Sequence, residues 1–237
     1  MIVQACLNGA RPSDYHPDLP LTSNDMARQG AACIAAGAHE LHFHPRGGDG
    51  RESLLAVDDT VRVMRTACPD TLIGVSTGAW IEGDEALTRQ CIEGWQELPD
   101  YASVNLSEPD APAIIETLHR IGVGVEAGLA TVKDAERFVL LPDRHRVFRI
   151  LIEIEEQNLP RAFDTADKIA ATLANADVSI PLLLHGFDNT MWPFVKLARQ
   201  RGWSTRVGLE DGKHLPNGKV APDNAALVTA ALAGHTD

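Results

Sequence analysis

Short apolar runs alternate along the chain with longer segments in which apolar residues recur at helical spacing. The apolar runs predict strands, around His42 and at residues 2–7, 72–75, 102–106, 124–127, 147–154, 182–184 and 205–209. The helical spacing predicts helices, from the N-cap candidates at 22–25 to Ala36, and at residues 54–67, 85–95, 113–120, 132–140, 164–173, 192–200 and 224–232. Eight strand–helix units therefore follow one another without a linker.

This alternation is typical of a parallel sheet whose faces are covered by helices. Eight units in 237 residues favour an α/β fold of the closed (β/α)8 TIM barrel type, with residues 1–237 as a single domain. An open doubly wound sheet is the alternative. It is less favoured because no GxGxxG motif follows the first strand.

Composition narrows the possible partners. Hydrophobic residues make up 44% of the chain, which is enough for a large core, and the net charge of -12 argues against binding to nucleic acid or an anionic membrane. The four cysteines lie far apart without CxxC spacing, which argues against a zinc knuckle or a dense disulfide framework, and the apolar neighbours of Cys6 and Cys33 indicate reduced, buried thiols. Neither a secretory signal pattern nor a membrane-spanning apolar run is found in the sequence. We expect a cytoplasmic protein that acts on small molecules.

Polar residues follow nearly every predicted strand. In a (β/α)8 barrel the catalytic groups lie at the carboxyl ends of the strands, so these residues are the candidates for the functional site. They are Asn8, His42, His44, Ser76, Thr77, Asn105, Ser107, Glu126, Glu153, Glu155, His185, Arg206, Glu210 and Asp211.

His42 and His44 are the strongest candidates for metal ligands. Residues two apart on a strand point to the same face, so the two imidazoles converge. Two histidines and one carboxylate, with one position left open, form a common catalytic zinc site. Glu210 is the favoured third ligand because strand eight neighbours strand one in a closed barrel, and Glu126 is the competing candidate. The alternative is a set of solvated polar residues at strand ends.

Other polar residues suggest substrate binding and proton transfer. Arg206 offers a permanently charged fork for a substrate carboxylate, with a salt bridge at the barrel rim as the alternative. Asp211 could accept a proton from a carbon acid, provided that the chain has left regular strand geometry there. Ser76 and Thr77 offer hydroxyls to an oxyanion, or cap the next helix. Asn105 is a further candidate for substrate binding.

Several motifs together resemble the β-keto acid cleavage enzymes, whose best-described type cleaves 3-keto-5-aminohexanoate. The matching elements extend along essentially the whole chain in the same order, and the HxHxR and RxGxED elements are specific in combination. They are Asn8 to Ala10, Pro17 to Thr22, Ala36 to Ala38, His42 to Arg46, Ser76 to Gly78, Glu126, and Arg206 to Asp211.

The resemblance implies a zinc-dependent (β/α)8 barrel, usually a homotetramer. Such an enzyme condenses a β-keto acid with acetyl-CoA and releases acetoacetate and a shortened CoA thioester. The resemblance assigns roles by position: zinc ligands His42, His44 and Glu210, carboxylate holder Arg206, base Asp211, and pocket residues Ser76 and Glu126.

The chain also departs from the family pattern. Arg11 stands where an acidic residue is usual, and the connections after strands four and six, at residues 107–110 and 157–162, look short. These positions affect the substrate and CoA more than the metal. A CoA-independent metal-dependent lyase or hydrolase acting on a small oxo acid, and a non-catalytic keto-acid-binding protein, are the alternatives. Divalent ions other than zinc also suit two histidines and a carboxylate.

Overall fold

The computed structural model describes residues 1–234 and shows a closed barrel of eight parallel strands, in which β1 pairs with both β2 and β8. The strands are β1 Val3–Cys6, β2 Glu40–Phe43, β3 Leu72–Ser76, β4 Tyr101–Asn105, β5 Gly124–Leu129, β6 Arg149–Ile154, β7 Leu182–Gly186 and β8 Ser204–Val207. The helices are α1 Ser23–Ala35, α2 Val57–Ala67, α3 Glu85–Glu93, α4 Ala111–Ile121, α5 Val132–Val139, α6 Leu159–Asn175, α7 Met191–Arg201 and α8 Asn224–Ala233. The predicted (β/α)8 fold is confirmed.

Two element boundaries differ from the sequence prediction in ways that matter for the mouth of the barrel. Helix α6 begins at Leu159 rather than at residue 164, because the Asn158 side chain caps it and a proline occupies its first turn. Strand β8 ends at Val207 rather than at residue 209, and the Leu209 N–H instead donates to Asn224 Oδ1 at 2.7 Å. The residues after β8 are therefore free of strand alternation.

The barrel interior toward the amino ends of the strands contains charged residues instead of the branched apolar layers common in this fold. Arg149 lies between the carboxylates of Glu40, at 2.6 Å from Nη1, and Glu126, at 2.9 Å from Nε. Gln4 donates to the Tyr101 hydroxyl at 2.8 Å. These five buried residues form the inner charge network, in which the arginine compensates the two acids.

The cysteines and the apolar character of the helices are features of the chain as a whole. The four cysteines are buried and unpaired. Within residues 1–234, none of the helices combines the length and the apolar character that crossing a bilayer requires.

Gly74 on β3 provides a test of how tightly the barrel interior is packed. A Cβ atom at this position would overlap with the ring of Tyr101. We expect Gly74→Ala to lower the free energy of unfolding by about 1–3 kcal/mol, because the buried ring has no free space to move into. Urea denaturation followed by circular dichroism measures this loss.

Gly48→Ala is the matched control, because a Cβ at Gly48 meets no heavy atom within 4 Å. We expect its unfolding free energy to stay within about 0.5 kcal/mol of the parent value. Equal losses in the two variants would contradict the packing argument.

Candidate metal centre and cavity

A cavity of about 680 Å³ opens at the carboxyl ends of the strands. Its position is that of the active site in characterised (β/α)8 enzymes. Eight of the fourteen candidates selected from the sequence line it: His42, His44, Ser76, Asn105, Glu153, Glu155, Arg206 and Glu210. Among the residues given a role from the sequence, Thr77, Glu126 and Asp211 do not line it.

His42, His44 and Glu210 form a compact group of potential ligands. One ligand atom from each lies within 4.8 Å of the other two, and all three residues are buried. The His42 Nε2–Glu210 Oε2 distance is 3.9 Å, and the His44 Nε2–Glu210 Oε1 distance is 3.6 Å. The third member is thus Glu210, as favoured from the sequence, and Glu126 is not part of the group.

His44 reaches this position although it lies beyond the end of β2. Asn8 holds its backbone from both sides: the side-chain amide donates to the His44 carbonyl oxygen at 2.9 Å, and Oδ1 accepts from the His44 N–H at 2.9 Å. The His42 and His44 rings meet edge-on with centroids 5.4 Å apart. The expected convergence is present, but the clamp from Asn8, and not strand geometry alone, positions the second ring.

Gly9 makes room for the carboxylate. Its φ of +54° is readily adopted by glycine, and a Cβ there would overlap with the Glu210 side chain. Asn8 and Gly9, which follow β1, therefore both shape the candidate metal centre: Asn8 positions His44, and Gly9 leaves space for the Glu210 side chain.

The electrostatics of the group suit a divalent cation. Burial lowers the pKa of His42 to about 4, which keeps it in the neutral form that binds metals. Burial also opposes charge on His44, but the Glu210 and Glu52 carboxylates raise its pKa to about 9. Although burial opposes ionisation of Glu210, Arg206 and the histidines hold its pKa well below the usual range.

Unsatisfied polar atoms at the centre agree with that interpretation. Glu210 Oε2 is buried and has no hydrogen-bond partner among residues 1–234. A buried, ionised oxygen without a partner costs free energy unless a cation compensates it. The donor set of two imidazole nitrogens and one carboxylate therefore fits Zn²⁺ or a similar divalent ion.

Arg206 links the metal group to the proposed base. Its Nη2 donates to Glu210 Oε1 at 2.6 Å and to Asp211 Oδ1 at 2.8 Å, and its Nε donates to Asp211 Oδ1 at 3.2 Å. The early end of β8 allows two consecutive acids to reach the same guanidinium. Arg206 is only 1% exposed, so its ion pairs lie inside the barrel and not at the rim.

His185 joins this cluster on the other side. Its Nε2 lies 3.0 Å from Glu153 Oε2, and its Nδ1 lies 3.4 Å from Asp211 Oδ1. The second oxygen of Asp211, Oδ2, is buried without a partner in the described part of the chain. His185 thus hydrogen-bonds one carboxylate, that of Glu153, and lies beside a second, that of Asp211.

The hydroxyl residues after β3 have local partners. Thr77 Oγ1 donates to the Ser103 carbonyl oxygen at 2.7 Å, so the side chain turns away from the cavity. Ser76 lines the cavity, and its Oγ accepts from the Gly78 N–H at 3.3 Å. Neither residue caps α3, because Asp84 is the N-cap. The structure therefore leaves Ser76 available to a ligand and gives Thr77 a structural contact.

Glu126 and Asn105 differ in their access to the cavity. Glu126 is fully buried in the inner charge network, where Arg149 lowers its pKa although burial opposes this, and Ser103 Oγ donates to it at 3.1 Å. Asn105 lines the cavity and donates to Glu108 Oε1 at 3.0 Å. In this arrangement Glu126 supports the barrel beneath the site, whereas Asn105 faces the site itself.

Sequence reasoning missed Glu52. Its Oε2 lies 2.6 Å from His44 Nδ1, the ring nitrogen that faces away from Glu210. The residue lies in the long connection after β2, where rules based on strand ends give no information. The only signal in the sequence is an acid eight residues after a candidate ligand.

A family model described as beta-keto acid cleavage enzyme matches residues 1–136 and 155–235. The chain belongs to the β-keto acid cleavage enzyme family. The match includes all three members of the candidate metal group and the loop that carries Asp211. The family resemblance inferred from the motifs is therefore confirmed.

Two curated relatives of this family member carry the same name. The chain is 25% identical over 247 residues to the 3-keto-5-aminohexanoate cleavage enzyme of Fusobacterium nucleatum, with 96% of this chain and 88% of the relative covered. It is 33% identical over 81 residues to the enzyme of the same name from Acetoanaerobium sticklandii, with 33% of this chain and 30% of that relative covered.

Solved structures confirm the fold of this family member. ObcA, in its ternary complex with a C4-CoA adduct and oxalate, superimposes with a TM-score of 0.74 at 17% identity, covering 92% of this chain. This chain spans only 63% of the length of ObcA. A type I 3-dehydroquinate dehydratase from Clostridium difficile gives a TM-score of 0.66 at 11% identity, with 98% and 91% of the two chains covered.

The inner charge network generates a stability prediction. Arg149→Met leaves Glu40 and Glu126 buried without their cation, so we expect the free energy of unfolding to fall by about 3–5 kcal/mol. Guanidinium denaturation measures the loss. Arg161→Met, at an exposed position on α6, is the control and is expected to change stability by less than about 0.5 kcal/mol. Near-parental stability of the Arg149 variant would refute a structural role for the network.

Proposed function

We propose that the protein is a metal-dependent acyltransferase that cleaves a β-keto acid with acetyl-CoA. The acid R–CO–CH₂–COO⁻ and acetyl-CoA give acetoacetate and the thioester R–CO–S-CoA. The C2–C3 bond of the keto acid and the acetyl C–S bond of acetyl-CoA break. New bonds join C2 to the acetyl carbonyl carbon and the CoA sulfur to C3. The observation that carries the proposal is the buried His42–His44–Glu210 group facing the cavity of a family barrel.

His42, His44 and Glu210 are the residues that would hold Zn²⁺ or another divalent ion. When bound there, such an ion supplies Lewis-acid chemistry, which makes the C2 hydrogens of a keto acid more acidic. The neutral His42 and the ionised Glu210 are in the protonation states that this role needs.

Arg206 is proposed to bind the substrate carboxylate. Its guanidinium lines the cavity, and among the described residues no hydrogen bond engages Nη1. Because a guanidinium donates in fixed directions, the free Nη1 edge both attracts and orients a planar carboxylate. Ser76 and Asn105 are the other proposed binding groups on the cavity wall.

Asp211 is proposed to accept the C2 proton at Oδ2. Arg206 donates two hydrogen bonds to the other oxygen, Oδ1, and His185 Nδ1 lies 3.4 Å from it, which leaves Oδ2 without a partner among the described residues. Asp211 is fully buried, so bulk water does not compete for this oxygen. Since Asp211 does not line the cavity, this role requires a local rearrangement that opens Oδ2 to the bound substrate.

The comparisons support a CoA-dependent reaction. The Fusobacterium nucleatum relative, similar along most of the chain, is named as a keto acid cleavage enzyme. ObcA, which shares the fold, holds a C4-CoA adduct in its ternary complex. Assembly into a homo-oligomer remains a prediction from the family resemblance.

The first test is turnover. The purified protein loaded with Zn²⁺ is incubated with acetyl-CoA and a panel of β-keto acids, and acetoacetate is measured. We expect one acetyl-CoA to be consumed for each acetoacetate formed with at least one acid. Glu210→Gln, which removes the charged ligand and little volume, is expected to lose both bound zinc and activity.

Two outcomes would contradict this proposal. Consumption of a keto acid without acetyl-CoA would indicate a CoA-independent lyase or hydrolase instead. Binding of keto acids without any turnover by the zinc-loaded protein would indicate a binding protein.

Asp211→Asn tests the assignment of the base. We expect kcat to fall by about 10²–10⁴-fold, because the amide cannot accept the C2 proton. Bound zinc should stay at the parental level. Exchange of the C2 hydrogens of the keto acid in D₂O, followed by NMR, should be lost as well. Asp143→Asn, an exposed position away from the cavity, serves as the control. Parental exchange in the Asp211 variant would remove Asp211 from this role.

A further inference from the structure

The connection between β2 and α2 doubles back on itself. The Gly47 N–H donates to the Arg51 carbonyl oxygen at 2.8 Å, and the Ser53 N–H donates to the Pro45 carbonyl oxygen at 2.9 Å. A single antiparallel bridge joins residues 46 and 52 between these bonds. The loop therefore returns residue 52 to the point where it left the barrel.

This return places Glu52 against His44. Glu52 Oε2 lies 2.6 Å from His44 Nδ1, while His44 Nε2 on the opposite side of the ring lies 3.6 Å from Glu210 Oε1. Both contacting side chains are nearly buried, at 11% and 6% exposed. A histidine whose Nδ1–H donates to a carboxylate presents its Nε2 lone pair to a metal, with ring orientation and tautomer fixed.

Trp80, in the loop after β3, supports the Glu52 carboxylate from a second direction. Its indole Nε1 lies 3.3 and 3.4 Å from the two Glu52 oxygens, and its ring stacks near that of His44 with centroids 6.4 Å apart. Gly78 permits this arrangement, because a Cβ there would overlap with the Trp80 ring. Two separate loops thus converge on one carboxylate.

The loop is also tied to the first strand end. Arg46 donates to the carbonyl oxygens of Gly9, at 2.9 Å, and Arg11, at 2.8 Å. It donates as well to the Gly50 carbonyl oxygen, at 3.0 Å, within its own loop. The final residue of the HxHxR element therefore secures the loop that carries Glu52 and is not a ligand.

We propose that Glu52 is a positioning residue for the metal centre: it fixes the proton on His44 Nδ1 and the orientation of the ring, with Trp80 holding the carboxylate in place. The proposal rests on the metal-dependent function proposed above. It assigns Glu52 no contact with substrate, so its effect is on formation of the centre.

The test measures zinc affinity directly, by competition with a chromophoric chelator, on the full-length protein stripped of metal. We expect Glu52→Ala to weaken binding by about 10–100-fold. Glu52→Gln should weaken it less, because the amide oxygen still accepts from Nδ1–H. Both variants should shift the visible absorption bands of the Co²⁺-substituted protein, a readout that overall stability alone does not move.

The controls separate positioning from charge and from folding. Glu155→Gln removes the same charge from the wall of the nearby cavity, where the described residues give its carboxylate no hydrogen bond, and should change zinc affinity by less than about threefold. Trp80→Phe removes only the N–H donor and should give a smaller loss than Glu52→Ala. Thermal unfolding of the metal-free proteins identifies any variant that fails to fold, in which case the nearly isosteric Glu52→Gln decides.

The outcomes distinguish this proposal from the one on which it rests. Parental zinc affinity in both Glu52 variants, or a loss no larger than that of Glu155→Gln, would overturn the positioning role. Absence of metal binding by the parent would overturn both proposals. A parent that binds zinc without keto acid turnover would refute the proposed reaction, while the Glu52 series would still decide the positioning role.

Discussion

Pairing of buried carboxylates with cations is the constraint on which the interior of this barrel depends. Near the amino ends of the strands, the single cation Arg149 pairs with two acids, Glu40 and Glu126, and burial raises the pKa of Glu40, which favours its neutral form and reduces the charge imbalance. Toward the carboxyl ends, one guanidinium, that of Arg206, faces the carboxylates of Glu153, Glu210 and Asp211, and His185 lies beside two of them. The acids near the carboxyl ends therefore outnumber their cations, and a divalent cation bound at His42 and His44 would compensate the excess negative charge.

The same excess explains why one buried histidine favours its charged form and its neighbour does not. His44 faces the carboxylates of both Glu52 and Glu210, which raise its pKa to about 9 although burial opposes this. His42 is equally buried, and the loss of hydration together with Arg206 lowers its pKa to about 4 despite the proximity of Glu210. A positive charge is thus favoured at the His44 Nε2 atom. In the absence of metal this charge is a proton, and a bound ion would replace it.

Arg206 makes the roles at the mouth interdependent. Its Nη2 donates both to Glu210, the candidate metal ligand, and to Asp211, the proposed base. Substrate binding at the free Nη1 edge of Arg206 would therefore affect both acids. The sequence suggested an arginine reserved for substrate. The structure shows a guanidinium that also orders the acids around it. This is possible because β8 ends at Val207 and the next residues form a turn, in which the Asp211 and Gly212 N–H groups donate to the Gly208 carbonyl oxygen.

The sequence by itself determined the closed barrel and brought His42, His44 and Glu210 to neighbouring strand ends. Strand periodicity is local, and closure makes β8, β1 and β2 neighbours, so these features depend on little beyond residue order. The clamp from Asn8 that positions the His44 ring is a tertiary contact. Tertiary structure decided the rest: Glu52 reaches His44 through a folded-back loop, Thr77 turns to Ser103, and Glu126 is committed to Arg149. Each of these depends on a hydrogen bond or ion pair with a partner from another segment, and no local pattern encodes which partner a buried polar side chain will find.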